Sequence, residues 1–166
     1  KKLGFWVCHH SGEDAEYRAI ELNTHTPHTK GWQTARFCEY PQELGLKIFA
    51  QSVDENSDSG MNGVVQRTGG KNQGVPTFVS RIQFLSHQSK IASKMEVFVS
   101  TDDCDYYNAS FVRLGSLQLD TNERSSYQAR ELKTVYIDRE VTYFRLVIHG
   151  CHVNKYNLFN KNLLLY

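Results

Sequence analysis

Proline is scarce, with three residues in 166, and no apolar run approaches the roughly 20 residues that a membrane-crossing helix needs. An excess of one charge is also missing. Nineteen Lys and Arg face 18 Asp and Glu, a net charge of +1, and the basic residues are scattered among the acids. Nucleic-acid affinity needs a clustered basic face, so no nucleic acid and no membrane insertion are expected. Signatures of chemistry are absent as well. There is no Gly-x-Ser-x-Gly elbow and no paired zinc-knuckle spacing. Gly69-Gly70-Lys71 resembles a phosphate loop, but Asn72 follows the lysine and Val65 stands where an earlier glycine is required. Asp102, Asp103 and Asp105 could offer oxygens to calcium, yet the run lacks the glycine and distal glutamate of an EF-hand. Cys8-His9-His10, His25 with His28, and His149 with Cys151-His152 carry metal-ligand residue types without a metal-ligand spacing. The expectation is a protein with no catalytic residues, no metal and no cofactor.

Four cysteines, Cys8, Cys38, Cys104 and Cys151, permit two disulfides, but a chain of this length can bury a core without them. Reduced thiols and a cytoplasmic home are expected. The opening Lys1-Lys2-Leu3-Gly4-Phe5-Trp6-Val7 is basic then apolar, but its apolar part is too short for a leader, and it reads as a first strand.

Hydrophobic residues make up 40% of the chain, with nine Phe, nine Tyr and two Trp, a composition that suits strands. Apolar residues recur at every second position over Leu44–Ala50, Phe78–His87, Lys94–Ser100, Phe111–Leu119, Leu132–Asp138 and Val141–His149, the period that sends one strand face into a core. Met95, Val97 and Val99 should point inward. Shorter strands are expected at Phe5–His9, Arg18–Asn23, Gln33–Phe37 and Leu163–Tyr166, and Asp138-Arg139-Glu140 reads as a hairpin turn. Between Ser52 and Pro76, runs such as Gly69-Gly70-Lys71-Asn72-Gln73-Gly74 are too polar to offset the cost of ordering them, so a flexible surface insertion is expected. The pattern predicts an all-β fold, an antiparallel sandwich or jelly roll, in one domain over 1–166.

Partner-binding candidates are the aromatic and planar polar groups of the expected loops: Trp32, Arg36, His87, His152, Asn154, Lys155 and Tyr156. Trp, Tyr and Arg dominate binding hot spots because they bury large areas and still make directed hydrogen bonds. The same residue types also plug core ends and brace loops, and for Trp32 and Asn157 that structural role is the expected one.

Gly31-Trp32 with Arg36-Phe37-Cys38, Ile82–Gln88, Arg113-Leu114-Gly115, Ala129–Asp138 and His152–Asn157 together resemble the amino-terminal domain of the centrosomal protein of 104 kDa family. The resemblance implies a discoidin-like jelly roll related to galactose-binding modules. It also implies a place among proteins of the centriole, centrosome, cytoskeleton and cilium tip that associate with microtubules. The function it suggests is a non-catalytic domain that docks protein partners, tubulin or ciliary-tip and centriolar components among them. Tubulin binding in that family belongs to another region, which this chain does not contain. A carbohydrate-binding module is the alternative, with Trp32, Arg36, His87 and Tyr156 as sugar contacts.

Overall fold

A computed structural model describes residues 2–24, 26–50, 75–158 and 161–166. The expected insertion at 52–76 therefore lies outside the described residues, apart from Val75 and Pro76. Nine strands are found among the described residues: β1 Gly4–His10, β2 Trp32–Gln33, β3 Gln42–Phe49, β4 Thr77–Leu85, β5 Ala92–Ser100, β6 Val112–Leu117, β7 Leu132–Val141, β8 Tyr143–Cys151 and β9 Leu164–Leu165. One layer is a five-stranded antiparallel sheet in the order β1-β3-β8-β5-β6. The facing layer holds the antiparallel pairs β4-β7 and β2-β9. A bridge between Ser86 and Leu165 joins these pairs, with the His87 N–H donating to the Leu164 carbonyl at 3.1 Å. The result is the expected jelly-roll sandwich.

The period-two stretches explain the core. Met95, Val97 and Val99 of β5 lie buried beside Phe144, Leu146 and Ile148 of β8 and Leu44, Leu46 and Ile48 of β3. Val79, Phe84, Ile137, Val141, Leu163 and Leu165 close over them from the facing layer. Each fully buried aliphatic or aromatic side chain stabilises the sandwich by about 1.5–3 kcal/mol. The outer face of the five-stranded sheet is partly roofed by the segment after β5. Tyr106, in a short 3₁₀ turn, is buried, and its hydroxyl donates to Glu43 Oε1 at 2.9 Å. Arg145 Nε lies 3.2 Å from the same carboxylate, while its guanidinium sits 4.0 Å from the Phe111 ring centroid. Gly45 makes this roof possible, since a Cβ there would fall 2.6 Å from the Tyr106 ring.

Three local expectations are corrected. Arg18–Asn23 is not a strand; Ala19–Asn23 forms a 3₁₀ turn closed by Glu21 N–H to the Arg18 carbonyl at 3.0 Å and Thr24 N–H to the Glu21 carbonyl at 3.2 Å. Of the expected Gln33–Phe37 strand only Gln33 is strand, in β2 with Trp32, because the chain turns at Ala35–Cys38 with Phe37 at φ 57°. Asp138-Arg139-Glu140 is not a hairpin turn. Those residues lie inside β7, with Asp138 at φ 47° in a bulge opposite β4, and the neighbouring strands β7 and β8 belong to different layers. Buried Thr142 makes that corner, its N–H donating to the Ser100 carbonyl at 2.8 Å and its carbonyl accepting from Ile48 N–H at 2.9 Å.

Candidate functional site at the loop end of the sandwich

The antiparallel order sends the β1–β2, β4–β5, β6–β7 and β8–β9 connections to one end. Every residue nominated from the sequence stands there, in β2 or in the turn after β2. Burial then divides them. Trp32 takes the structural role expected of it and leaves the list of partner and sugar contacts: it is 0% exposed, and its indole N–H donates to the Gly12 carbonyl at 3.0 Å, so it plugs the core end. Asn154 is a correction. Its amide nitrogen donates to the Ser89 carbonyl at 2.7 Å, its oxygen accepts from Tyr156 N–H at 2.9 Å, and the side chain is consumed in joining two loops.

His152 and His87 are half-buried braces of the same kind. His152 Nε2 donates to the Leu119 carbonyl at 2.8 Å. His87 Nδ1 accepts from the Ser89 and Lys90 N–H groups, both at 3.1 Å, which places the ring proton on Nε2. Asn157 is buried as expected, donating to the Asn162 carbonyl at 2.8 Å. Asn122, overlooked in the sequence, ties the β6–β7 loop to the β4–β5 loop by donating to the Gln88 carbonyl at 2.9 Å. Among the described residues these bonds make the loop end a cross-braced platform.

Arg36, Lys155 and Tyr156 remain exposed on that platform. Tyr156 is 60% exposed, packs edge-on against Tyr127 at 5.4 Å between centroids, and carries Lys155 Nζ 5.0 Å above its ring. The edge-on pair fixes the ring without covering it, the arrangement of a rigid aromatic anchor. On the other side of the platform a depression of about 480 Å³ is lined by residues that sequence reasoning missed, Tyr17, Gln33 and Lys90 among them, together with Arg36. Nothing but the position of Lys90, three residues beyond His87, signals it in the sequence.

Burial, followed by the nearby Lys90 and Arg130 charges, pushes the His87 imidazole down to about 4 from 6.5. The neutral ring is therefore favoured by the fold, and the unfolded chain binds the extra proton between these two values. Stability should be complete above pH 6.5 and fall as the pH drops towards 4, by about 1–2 kcal/mol after allowing for solvent screening. Urea denaturation at pH 7.5 and pH 4.8 should show a smaller loss for His87→Gln than for the wild type. Equal losses would remove His87 as the titrating brace. Glu13, Glu96 and Asp120, whose carboxyls are held below the usual range, begin to lose their contribution below about pH 5 in both proteins, so the difference between wild type and His87→Gln is what reports His87.

Among the described residues no group of three His, Cys, Asp or Glu side chains is placed to hold a metal ion. Of the motifs considered for metal, His25 lies outside the described residues, and Asp102 Oδ2 accepts from Ser110 N–H at 2.6 Å. The four cysteines are free, and burial raises the Cys8 thiol to about 11, far from a reactive thiolate. No helix among the described residues is long and apolar enough to cross a membrane.

Comparison with known proteins adds to this geometry. The model of the family described as centrosomal protein CEP104, N-terminal domain, matches residues 72–166. The chain is 35% identical to the human centrosomal protein of 104 kDa over 99% of its own length and 16% of that protein. It is 34% identical to the mouse protein over 99% of its length and 15% of that relative. It thus spans about a sixth of the relatives it matches. Among solved structures, it superposes on the family 32 CBM from C. perfringens NanJ in complex with galactose, with a TM-score of 0.59, 11% identity, and coverage of 98% and 93% of the two chains. Reduced XRCC1 bound to the DNA pol beta catalytic domain gives 0.53 at 12% identity, covering 90% and 87%. At such identities these likenesses establish the jelly-roll fold alone.

Proposed function

Because the chain belongs to the centrosomal protein of 104 kDa family, we propose that this jelly roll is a non-catalytic docking domain of a centrosomal protein. It receives a protein partner on its loop end. The observation that carries this reading is the division of labour at that end. Trp32, His87, His152 and Asn154 are spent on bracing the loops, while Tyr156, Lys155 and Arg36 are held out from a fixed base. Pre-organisation of this kind lowers the ordering cost of association. Tubulin and centriolar or ciliary-tip proteins are the partners we propose, with the domain acting at the centriole and cilium tip. The 1–166 chain is proposed to act as one unit.

The test is microtubule co-pelleting and pull-down from ciliated-cell extract, comparing the wild type with Lys155→Ala/Tyr156→Ala. Both side chains are exposed, so the melting temperature should stay within a few degrees. Capture of tubulin or of a centriolar protein should fall about tenfold or more, the scale of an aromatic hot spot. Undiminished capture by the folded double variant would remove this rim from the interface.

A further inference from the structure

The five-stranded sheet ends on β1 and β6, and the two edges are treated differently. A strand edge exposes a row of backbone donors and acceptors, which native folds cover, charge or bend. β1 is covered. The Ala19–Asn23 turn packs along it, and the Val7 N–H donates to Asn23 Oδ1 at 2.8 Å. In the facing layer β7 is bent by its bulge at Asp138 and charged by Lys133, Arg139 and Glu140. β6 carries neither a cover nor a run of charge. Among the described residues it pairs with β5 alone, and Val112-Arg113-Leu114-Gly115-Ser116-Leu117 holds no proline and a single charge. That charge lies on the face of the sheet, where Arg113 Nε is bonded to Glu96 Oε2.

Pairing fixes the side on which each β6 residue stands. Val112, Gly115 and Leu117 oppose Val99, Val97 and Met95, all buried, and belong to the core side. Arg113 and Ser116 oppose Phe98 and Glu96, on the outer side. A bulge at Leu114 reconciles the two runs, and Leu114 packs against the core cluster. The order along β6 is therefore in, out, in, in, out, in, which is the same in both directions. An antiparallel partner of identical sequence requires this, because residues opposite one another across a ladder share a face. With a two-fold axis between Leu114 and Gly115, Val112 meets Leu117, Arg113 meets Ser116 and Leu114 meets Gly115. A shift of one or two residues either way sets an outer position against an inner one. The chemistry agrees with the register. No atom lies within 4 Å of a Cβ at Gly115, so the position opposite Leu114 is open. On the outer side Arg113 would stand beside the second copy's Ser116, whose neighbour in β5 is Glu96. Strands are about 4.8 Å apart, so an arginine spans the small serine to reach that carboxylate, and the symmetry makes the contact twice.

We propose that β6 is a self-association edge, through which two copies of this chain join antiparallel over Val112–Leu117 into one continuous sheet. A ladder of six residues belongs with the small, transient interfaces, below about 1,200 Å², so the dimer is reversible. Antiparallel pairing also points the two loop ends in opposite directions, one Tyr156 rim at each pole.

The experiment is sedimentation equilibrium of the whole chain from about 5 to about 500 µM, where the mean mass should climb from monomer towards dimer. Ser116→Lys, at an exposed position, faces its own Glu96 in the monomer but the second copy's Arg113 in the dimer. It should keep its melting temperature and weaken dimerisation about tenfold, since the like-charge pair occurs twice. Adding Arg113→Glu restores opposite charges across the ladder and should recover dimerisation. Should that double variant not fold, Val112→Lys, at a position 62% exposed, sets a charge against Leu117 and should also weaken the dimer. Lys155→Ala/Tyr156→Ala should dimerise as the wild type does, which separates this edge from the docking rim. A chain that stays monomeric throughout, a dimer unchanged in Ser116→Lys, or a folded double variant without recovery would overturn the proposal. So would β6 amides that gain exchange protection only when cell extract is added, which would give the edge to a foreign strand.

Discussion

Gly31→Ala is expected to unfold the sandwich. Gly31 has φ +83°, a left-handed conformation that costs an L-residue about 1–2 kcal/mol before any contact is considered. The added Cβ would then fall 2.3 Å from the Leu165 carbonyl oxygen, 3.1 Å from its carbon and 3.2 Å from Tyr166 Cα. All three are backbone atoms of β9 or of the residue that follows it, so no side-chain rotation can make room. Relief requires moving β2 away from β9, which breaks the Trp32–Leu165 and Gln33–Leu164 register and draws Trp32 out of the core end. A loss above about 4 kcal/mol follows, comparable to the whole stability of a small domain. Circular dichroism should show no cooperative melt for Gly31→Ala. Gly115→Ala is the control, because no atom lies within 4 Å of the Cβ it would add in β6, and it should be neutral or slightly stabilising. A Gly31→Ala protein melting within about 3 °C of the wild type would show that β2 and β9 are not paired as described.

How far the sequence discloses such features depends on whether the signal is local. The alternation through Met95, Val97 and Val99 is local, and it places three buried side chains correctly because strand geometry allows no other face. Ile20 and Leu22 alternate equally well, yet they lie in a 3₁₀ turn. Their segment satisfies its own backbone groups, and Glu13 Oε2 takes the Ala19 N–H at 2.7 Å, so no neighbouring strand is needed. Asp138-Arg139-Glu140 has turn composition, but β4 supplies a partner for it and a bulge at Asp138 absorbs the extra residue. Where the sheet changes is decided at Thr142, by bonds to strands distant in sequence.

The candidate site was legible as a location and illegible as a surface. Asn, His and Tyr in the β8–β9 connection do gather at one end. Whether each braces a loop or faces a partner turns on long-range acceptors such as the Ser89 and Leu119 carbonyls, which no neighbouring residue announces. Lys90 and Tyr17 went unremarked for the converse reason, since only the packing of β2 against two loops brings them together.

Trp32 carries the second large effect, and it separates the two roles that a loop-end aromatic can play. Removing a fully buried tryptophan leaves a void that the two sheets cannot close, so Trp32→Ala should destabilise by about 3–5 kcal/mol in urea denaturation. Trp32→Phe keeps most of the ring but strips the donor from the Gly12 carbonyl, a loss of about 1–3 kcal/mol. The smaller change is the more instructive. Gly12 begins the stretch that bears Asp14 and Tyr17, and the indole N–H anchors the start of that stretch to β2. Trp32→Phe should therefore keep a cooperative melt while amide exchange quickens at residues 12–17, the stretch zipped along β2. A Trp32→Ala protein within about 0.5 kcal/mol of the wild type would mean that the indole does not fill the core end, and its exclusion from the binding surface would have to be withdrawn.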